Sequence, residues 1–122
     1  MAIESVKVIS VPVSEQERAK EFYVEKLGFE LTRDDKSVPG IRWVQVTPKC
    51  GAPSLTLVTW FETMAPGSLQ GLVLASEDLE ADCDRLATEG VRFDRPVEEQ
   101  PWGREAVICD PDGNKLVLQQ AG

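Results

Sequence analysis

Ser14-Glu15-Gln16-Glu17 opens a helical stretch that closes at Leu27-Gly28-Phe29. Ser76-Glu77-Asp78 opens a second one that closes at Glu89-Gly90-Val91. The steps from Ser14 to Ser76 and from Gly28 to Gly90 are both 62 residues, close to half of a 122-residue chain. Self-similarity at a fixed offset marks a repeated structural unit. The doubling predicts two similar modules, residues 1–63 and 68–122, forming a single domain over 1–122 around a pseudo-twofold axis. A cleft between or within the modules is the natural place for a site.

Working outward, residues 5–13 (Ser-Val-Lys-Val-Ile-Ser-Val-Pro-Val) are rich in β-branched side chains and read as a strand. Ser14 followed three residues later by Glu17 is a capping-box pattern. The helix it predicts buries Ala19, Phe22, Tyr23 and Leu27, spaced by three and four, and Gly28 is its stop. Strands are expected over 29–32, 41–47 and 54–60, with polar turns over 34–40 and 48–53. Residues 64–68 form a Pro/Gly connector. The order then recurs: a strand at 71–75, a helix at 77–89 burying Leu79, Cys83, Leu86 and Ala87, and a short strand at 91–93. A loop over 98–103, a strand at 104–109, a hairpin turn at 110–114 and a last strand at 115–120 complete it. Pro96 and the adjacent glutamates make 95–100 a poor central strand. Each half is βαβββ. The expected fold is α+β: two tandem modules forming curved mixed sheets around a cavity, with helices on the outer faces.

Composition narrows the function classes. A net charge of −8 and a pI near 4.5 argue against nucleic acid, whose phosphates need a basic footprint. The same balance favours a neutral or cationic ligand, and it also keeps cytosolic proteins soluble. No apolar run is long enough for a membrane span, and residues 1–13 lack the features of a signal peptide. A cytoplasmic location is expected. Cys50, Cys83 and Cys109 form no CxxC pair, so isolated reduced thiols are expected. Asp82, Asp84 and Glu80 around Cys83 would raise its thiol pKa and disfavour a nucleophile. There is no histidine, the commonest general base and metal ligand.

Three stretches stand out: Pro12-Val13-Ser14-Glu15 before a helix, Phe22-Tyr23 followed by Leu27-Gly28-Phe29, and Asp110-Pro111-Asp112-Gly113-Asn114 before the final strand. Together they resemble the vicinal oxygen chelate superfamily, which contains glyoxalase I, bleomycin resistance proteins, fosfomycin resistance enzymes and extradiol dioxygenases. The resemblance spans essentially the whole chain. By itself the last motif is good turn chemistry, and it is read as a hairpin rather than a site.

The resemblance implies a divalent metal held by residues of the first and fourth strands of each module. Carried onto this chain, those slots fall at Val8, Thr56, Val117 and either Gln70 or Gly71. Valine offers no lone pair, and Thr, Gly or a single Gln cannot hold a divalent ion against water. No metal and no other cofactor is therefore expected, which places the chain in a metal-free branch.

A metal-free cavity can still bind. Tryptophans offer wide faces and an N–H donor. The candidates are Trp43 on the third strand, Trp60 and Phe61 at the end of the fourth, and Trp102 in Gln100-Pro101-Trp102-Gly103-Arg104. Trp43 could equally pack in a core, and Trp102 could equally make a dimer contact. Arg42 and Arg104 are either clamps for a ligand or partners for the surplus carboxylates. No residue is assigned a catalytic role.

The leading expectation is a small-molecule (drug or metabolite) binding protein that sequesters a planar or cationic ligand, of the bleomycin-resistance type that the resemblance implies. The alternative is a metal-independent isomerase or lyase acting on a small carbonyl compound, with Tyr23 or Glu105 as acid or base. A third is an interaction module without turnover. The resemblance implies a homodimer in each case.

Overall fold

The computed structural model describes residues 1–122. The chain divides into two compact units, Met1–Ala65 and Pro66–Gly122, and each has the same connectivity. In the first, β1 (Val8–Pro12), α1 (Gln16–Glu21), β2 (Glu30–Asp35), β3 (Trp43–Thr47) and β4 (Ser54–Val58) follow in order. The sheet order is β1-β4-β3-β2, with β1 parallel to β4 and the other pairs antiparallel. In the second, β5 (Leu72–Ser76), α2 (Leu79–Thr88), β6 (Arg92–Gln100), β7 (Gly103–Cys109) and β8 (Lys115–Gln120) form a sheet of order β5-β8-β7-β6. The expected α+β class and paired βαβββ modules are what the chain forms.

Alternation along the strands decides which face each helix covers. Val44 and Val46 of β3 stand opposite Leu57 and Leu55 of β4, and α1 packs on these two strands. Val11, Val44, Val46 and Leu57 have no exposed surface, and each such burial contributes about 1.5–3 kcal/mol. In the second unit Leu116, Leu118, Ile108 and Ala106 make the corresponding layer, with Leu79, Cys83 and Leu86 of α2 buried over it.

Several local expectations change. The strand expected over 5–13 is ordered as β1 only from Val8 to Pro12. Ser14 is not the cap of α1: Glu15 takes that position without a side-chain bond, and the Ser14 hydroxyl instead accepts from Arg18. The first helix also changes pitch, passing into one π-helical turn over Phe22–Lys26. The Leu27 amide donates to the Phe22 carbonyl and the Phe29 amide to the Tyr23 carbonyl, with Gly28 at φ +76° between them. This widened turn buries Phe22 and Tyr23 side by side and leaves Leu27 only half-buried. Ala87, expected in the core, is exposed.

The strand expected over 91–93 runs instead for nine residues, Arg92–Gln100, and takes in Pro96 and the first half of the expected loop. Its position explains the tolerance. β6 is the edge of its sheet, and its pairing with β7 shifts register between Arg95 and Glu98, around the proline. An edge strand with a bulge has no ladder bond there for Pro96 to break.

The Asp110–Asn114 turn does more than close a hairpin. Asp110 and Asn114 are buried. Asp110 Oδ1 accepts from the Asp112 and Asn114 amides, and Asn114 Nδ2 donates to Asp110 Oδ2 at 2.8 Å. Asn114 Oδ1 in turn accepts from the Leu69 amide at 2.9 Å, and the Lys115 amide donates to the Leu69 carbonyl. Gly67 lies so close that a Cβ there would stand 2.1 Å from the Asp112 carbonyl oxygen. The turn therefore pins the connector between the repeats onto the second sheet.

No helix is long and apolar enough to cross a membrane.

Candidate functional site

The first sheet has a face that α1 does not cover. Because side chains alternate, Thr56 points away from the Leu55/Leu57 layer, opposite Gln45 on one side and Ser10 on the other. Trp43 lies two residues before Gln45 on that same face. Trp60 and Phe61 do not end β4, which stops at Val58; they follow it in the loop. From there Trp60 folds back on Trp43, with ring centroids 6.1 Å apart and planes 30° from parallel. Phe61 continues the row at 6.0 Å from Trp60 and is 46% exposed. Three of the expected ligand-binding residues thus form one contiguous aromatic surface.

Polar groups fix this surface. The Trp43 indole N–H donates to Gln45 Oε1 at 3.0 Å, and the Arg33 guanidinium lies 5.1 Å from the Trp43 ring centre. Thr47 and Ser54 share a hydrogen bond at 2.8 Å. The Thr56 hydroxyl is buried and has no partner in the protein.

Arg42 precedes Trp43 but is turned toward α1. It donates twice to Asp34, at 2.9 and 2.7 Å, and once to Glu17 at 2.9 Å. Lys20 joins the same carboxylates. The Arg42 bonds hold the Asp34 carboxyl below its usual range, and Lys20, then Arg42, do the same for Glu17. Asp34 first, then Glu17, hold the guanidinium charged. Gln16 completes this corner, its Nε2 donating to the Arg42 carbonyl at 2.6 Å and the Leu57 carbonyl at 2.8 Å.

Trp102 and Arg104 lie in the second unit, on the β6–β7 hairpin. Gln100 pairs with Gly103, so Pro101 and Trp102 are the two turn residues. Trp102 is 66% exposed, and its indole N–H donates to Glu105 Oε1 at 2.6 Å. Arg104 pairs with Glu80 of α2 and, at 3.0 Å, with Glu99.

At the slots that the resemblance implies for a metal stand Val8 and Thr56 in the first unit and Val117 in the second, with Gln70 and Gly71 both exposed just ahead of β5. No three His, Cys, Asp or Glu side chains come together to ligate an ion. This donor set does not fit a divalent metal. The expected acid–base candidates also find other places. Tyr23 is fully buried between Phe22 and Phe29, and Glu105 is held by Trp102. Cys83 is buried beside α2's carboxylates; burial first, then Asp82, Glu80 and Asp84, pushes its thiol pKa up, as its neighbours in sequence predicted.

Sequence reasoning missed Arg33, Gln45 and Gln16. Alternation on β3 was the signal for Gln45, since it shares parity with Trp43. Arg33 reaches Trp43 through the bulge between Leu31 and Arg33, which no local pattern announces.

A family model described as the glyoxalase/bleomycin resistance protein/dioxygenase superfamily matches residues 5–118. Among solved structures, the chain is similar to TnmS3, an antibiotic binding protein from Streptomyces sp. CB03234. The identity is 55% and the TM-score 0.91, covering 100% of this chain and 99% of that one. It is also similar to a member of the same superfamily from Sphaerobacter thermophilus DSM 20745, with 35% identity and a TM-score of 0.91 over 99% and 100% of the two chains. YetH, an uncharacterised protein of Bacillus subtilis strain 168, is 32% identical over 121 residues, covering 97% of this chain and 99% of YetH.

Proposed function

This chain belongs to the glyoxalase/bleomycin resistance protein/dioxygenase superfamily, and we propose that it binds a flat aromatic small molecule, an antibiotic or related metabolite, without a metal. The observation that carries this reading is the row of Trp43, Trp60 and Phe61. Stacking surfaces of this kind contribute roughly 1–3 kcal/mol per well-buried contact. The likeness to an antibiotic binding protein at 55% identity over the full chain supports small-molecule binding as the general role. The donor set supports metal independence, because binding by stacking needs none. Arg42 supports the strand that presents Trp43. Trp102 and Arg104 offer a separate ligand contact within the second unit, and the acidic surface favours a ligand that is neutral or positively charged.

Titrating intrinsic tryptophan fluorescence with a panel of flat aromatic drugs, cationic members included, tests this. Saturable quenching is expected, unchanged by a chelator and weakened about tenfold by Trp43→Leu. A panel that gives no quenching overturns the binding role. Quenching that disappears with the chelator overturns metal independence.

A further inference from the structure

Thr56 occupies the position at which the family's fold would place a metal-ligating side chain, yet it carries a hydroxyl with no partner. The residue is 1% exposed and its Oγ1 makes no hydrogen bond. A buried hydroxyl left unsatisfied is costly, and native proteins keep few of them. Its strand neighbours on the same face are Ser10 and Gln45. One diagonal step further lies Trp43, whose indole N–H holds Gln45 by Oε1 and so turns the donor end of that amide, Nε2, the other way. Two donors, the Thr56 hydroxyl and the Gln45 amide, thus stand beside a stacked pair of tryptophans.

We infer that Thr56 and Gln45 recognise a hydrogen-bond acceptor in the plane of the bound aromatic, so that the ligand class is a flat ring system bearing an aryl carbonyl oxygen. This rests on the binding reading above and narrows it. Gln45 and Ser10, which flank Thr56 on this face, are half-buried, and they must give way enough for a ligand oxygen to reach the hydroxyl. The carbonyl then accepts from Thr56 Oγ1 while the rings stack on Trp43 and Trp60. The slot that would bind an ion elsewhere in the fold becomes, in this chain, a hydrogen-bond anchor, because its side chain can donate a proton but cannot hold a divalent charge.

A shape-matched pair of probes separates the anchor from the stacking. Fluorene and 9-fluorenone differ by the carbonyl alone. The wild-type protein is expected to bind 9-fluorenone about threefold to tenfold more tightly. Thr56→Val keeps the shape, removes the hydroxyl, and should abolish that preference while leaving fluorene affinity unchanged. Its stability in urea should equal or exceed that of the wild type, because the hydroxyl has no internal partner to lose. Equal wild-type affinity for the two probes, a preference that survives in Thr56→Val, or a marked loss of stability would each overturn the anchor and leave aromatic binding standing. Failure of both probes and of the wider drug panel would remove the binding reading together with it.

Discussion

Individual residues show how differently the same chemistry can be used. Asn114 belongs to a motif that reads as turn-forming, but its side chain is buried and bonded to both Asp110 and Leu69. Asn114→Ala would take one donor from the buried Asp110 carboxylate and leave the Leu69 N–H without its acceptor. Its expected cost is about 2–4 kcal/mol, measured by urea denaturation. Asp34 offers a test with a sign. Its folded pKa lies below its ordinary value of 3.8 because Arg42 donates to it. A lowered pKa means that the pairing stabilises the fold above that ordinary value and is lost as pH falls through the folded one. The urea midpoint should therefore drop on acidification below about pH 4, and Asp34→Asn should flatten that drop. A variant as steep as the wild type would show that other carboxylates govern it.

At the scale of elements, the two helices start in different ways. Asp78 caps α2, its side chain accepting from the Ala81 amide at 3.2 Å, whereas Glu15 caps α1 with backbone only. Asp78→Ala should cost about 1 kcal/mol and Glu15→Ala close to nothing, as read from thermal or urea unfolding. Helix packing also sets thiol reactivity. Cys83 on the inner face of α2 and Cys109 at the end of β7 are buried, while Cys50 is in an exposed turn. One thiol per chain should react promptly with a disulfide reagent such as DTNB, and the other two only on unfolding. Prompt labelling of all three would contradict the packing of the second unit.

The molecule as a whole carries a net charge of −8, which no single contact expresses. Such a field should raise the affinity for a cationic flat dye over its neutral analogue. That advantage should fade on going from about 20 mM to about 0.5 M salt, because exposed charges are screened. Salt-independent affinity for the cation would assign the recognition to stacking alone.

Much of the architecture was legible in the chain. The paired helix signals, the alternation on β3, β4, β7 and β8, and the turn residues of 110–114 are local patterns, and each is decided by neighbours within a few residues. The extent of β6 was not legible, because Pro96 forbids a central strand but not an edge strand, and sheet order is not written locally. The π-helical turn was equally hidden, since its spacing differs from a regular helix by one carbonyl.

The site divides along the same line. Its residue types, three tryptophans and a set of slots without metal donors, were fixed by composition and position. Which of them meet depended on folding. Trp60 reaches Trp43 from the loop after β4, and Arg42 turns to Asp34 and Glu17. Sequence determines the side chains and their alternation because those follow from local backbone geometry. Only tertiary structure decides contacts between distant segments, because these depend on where separate strands and loops come to rest.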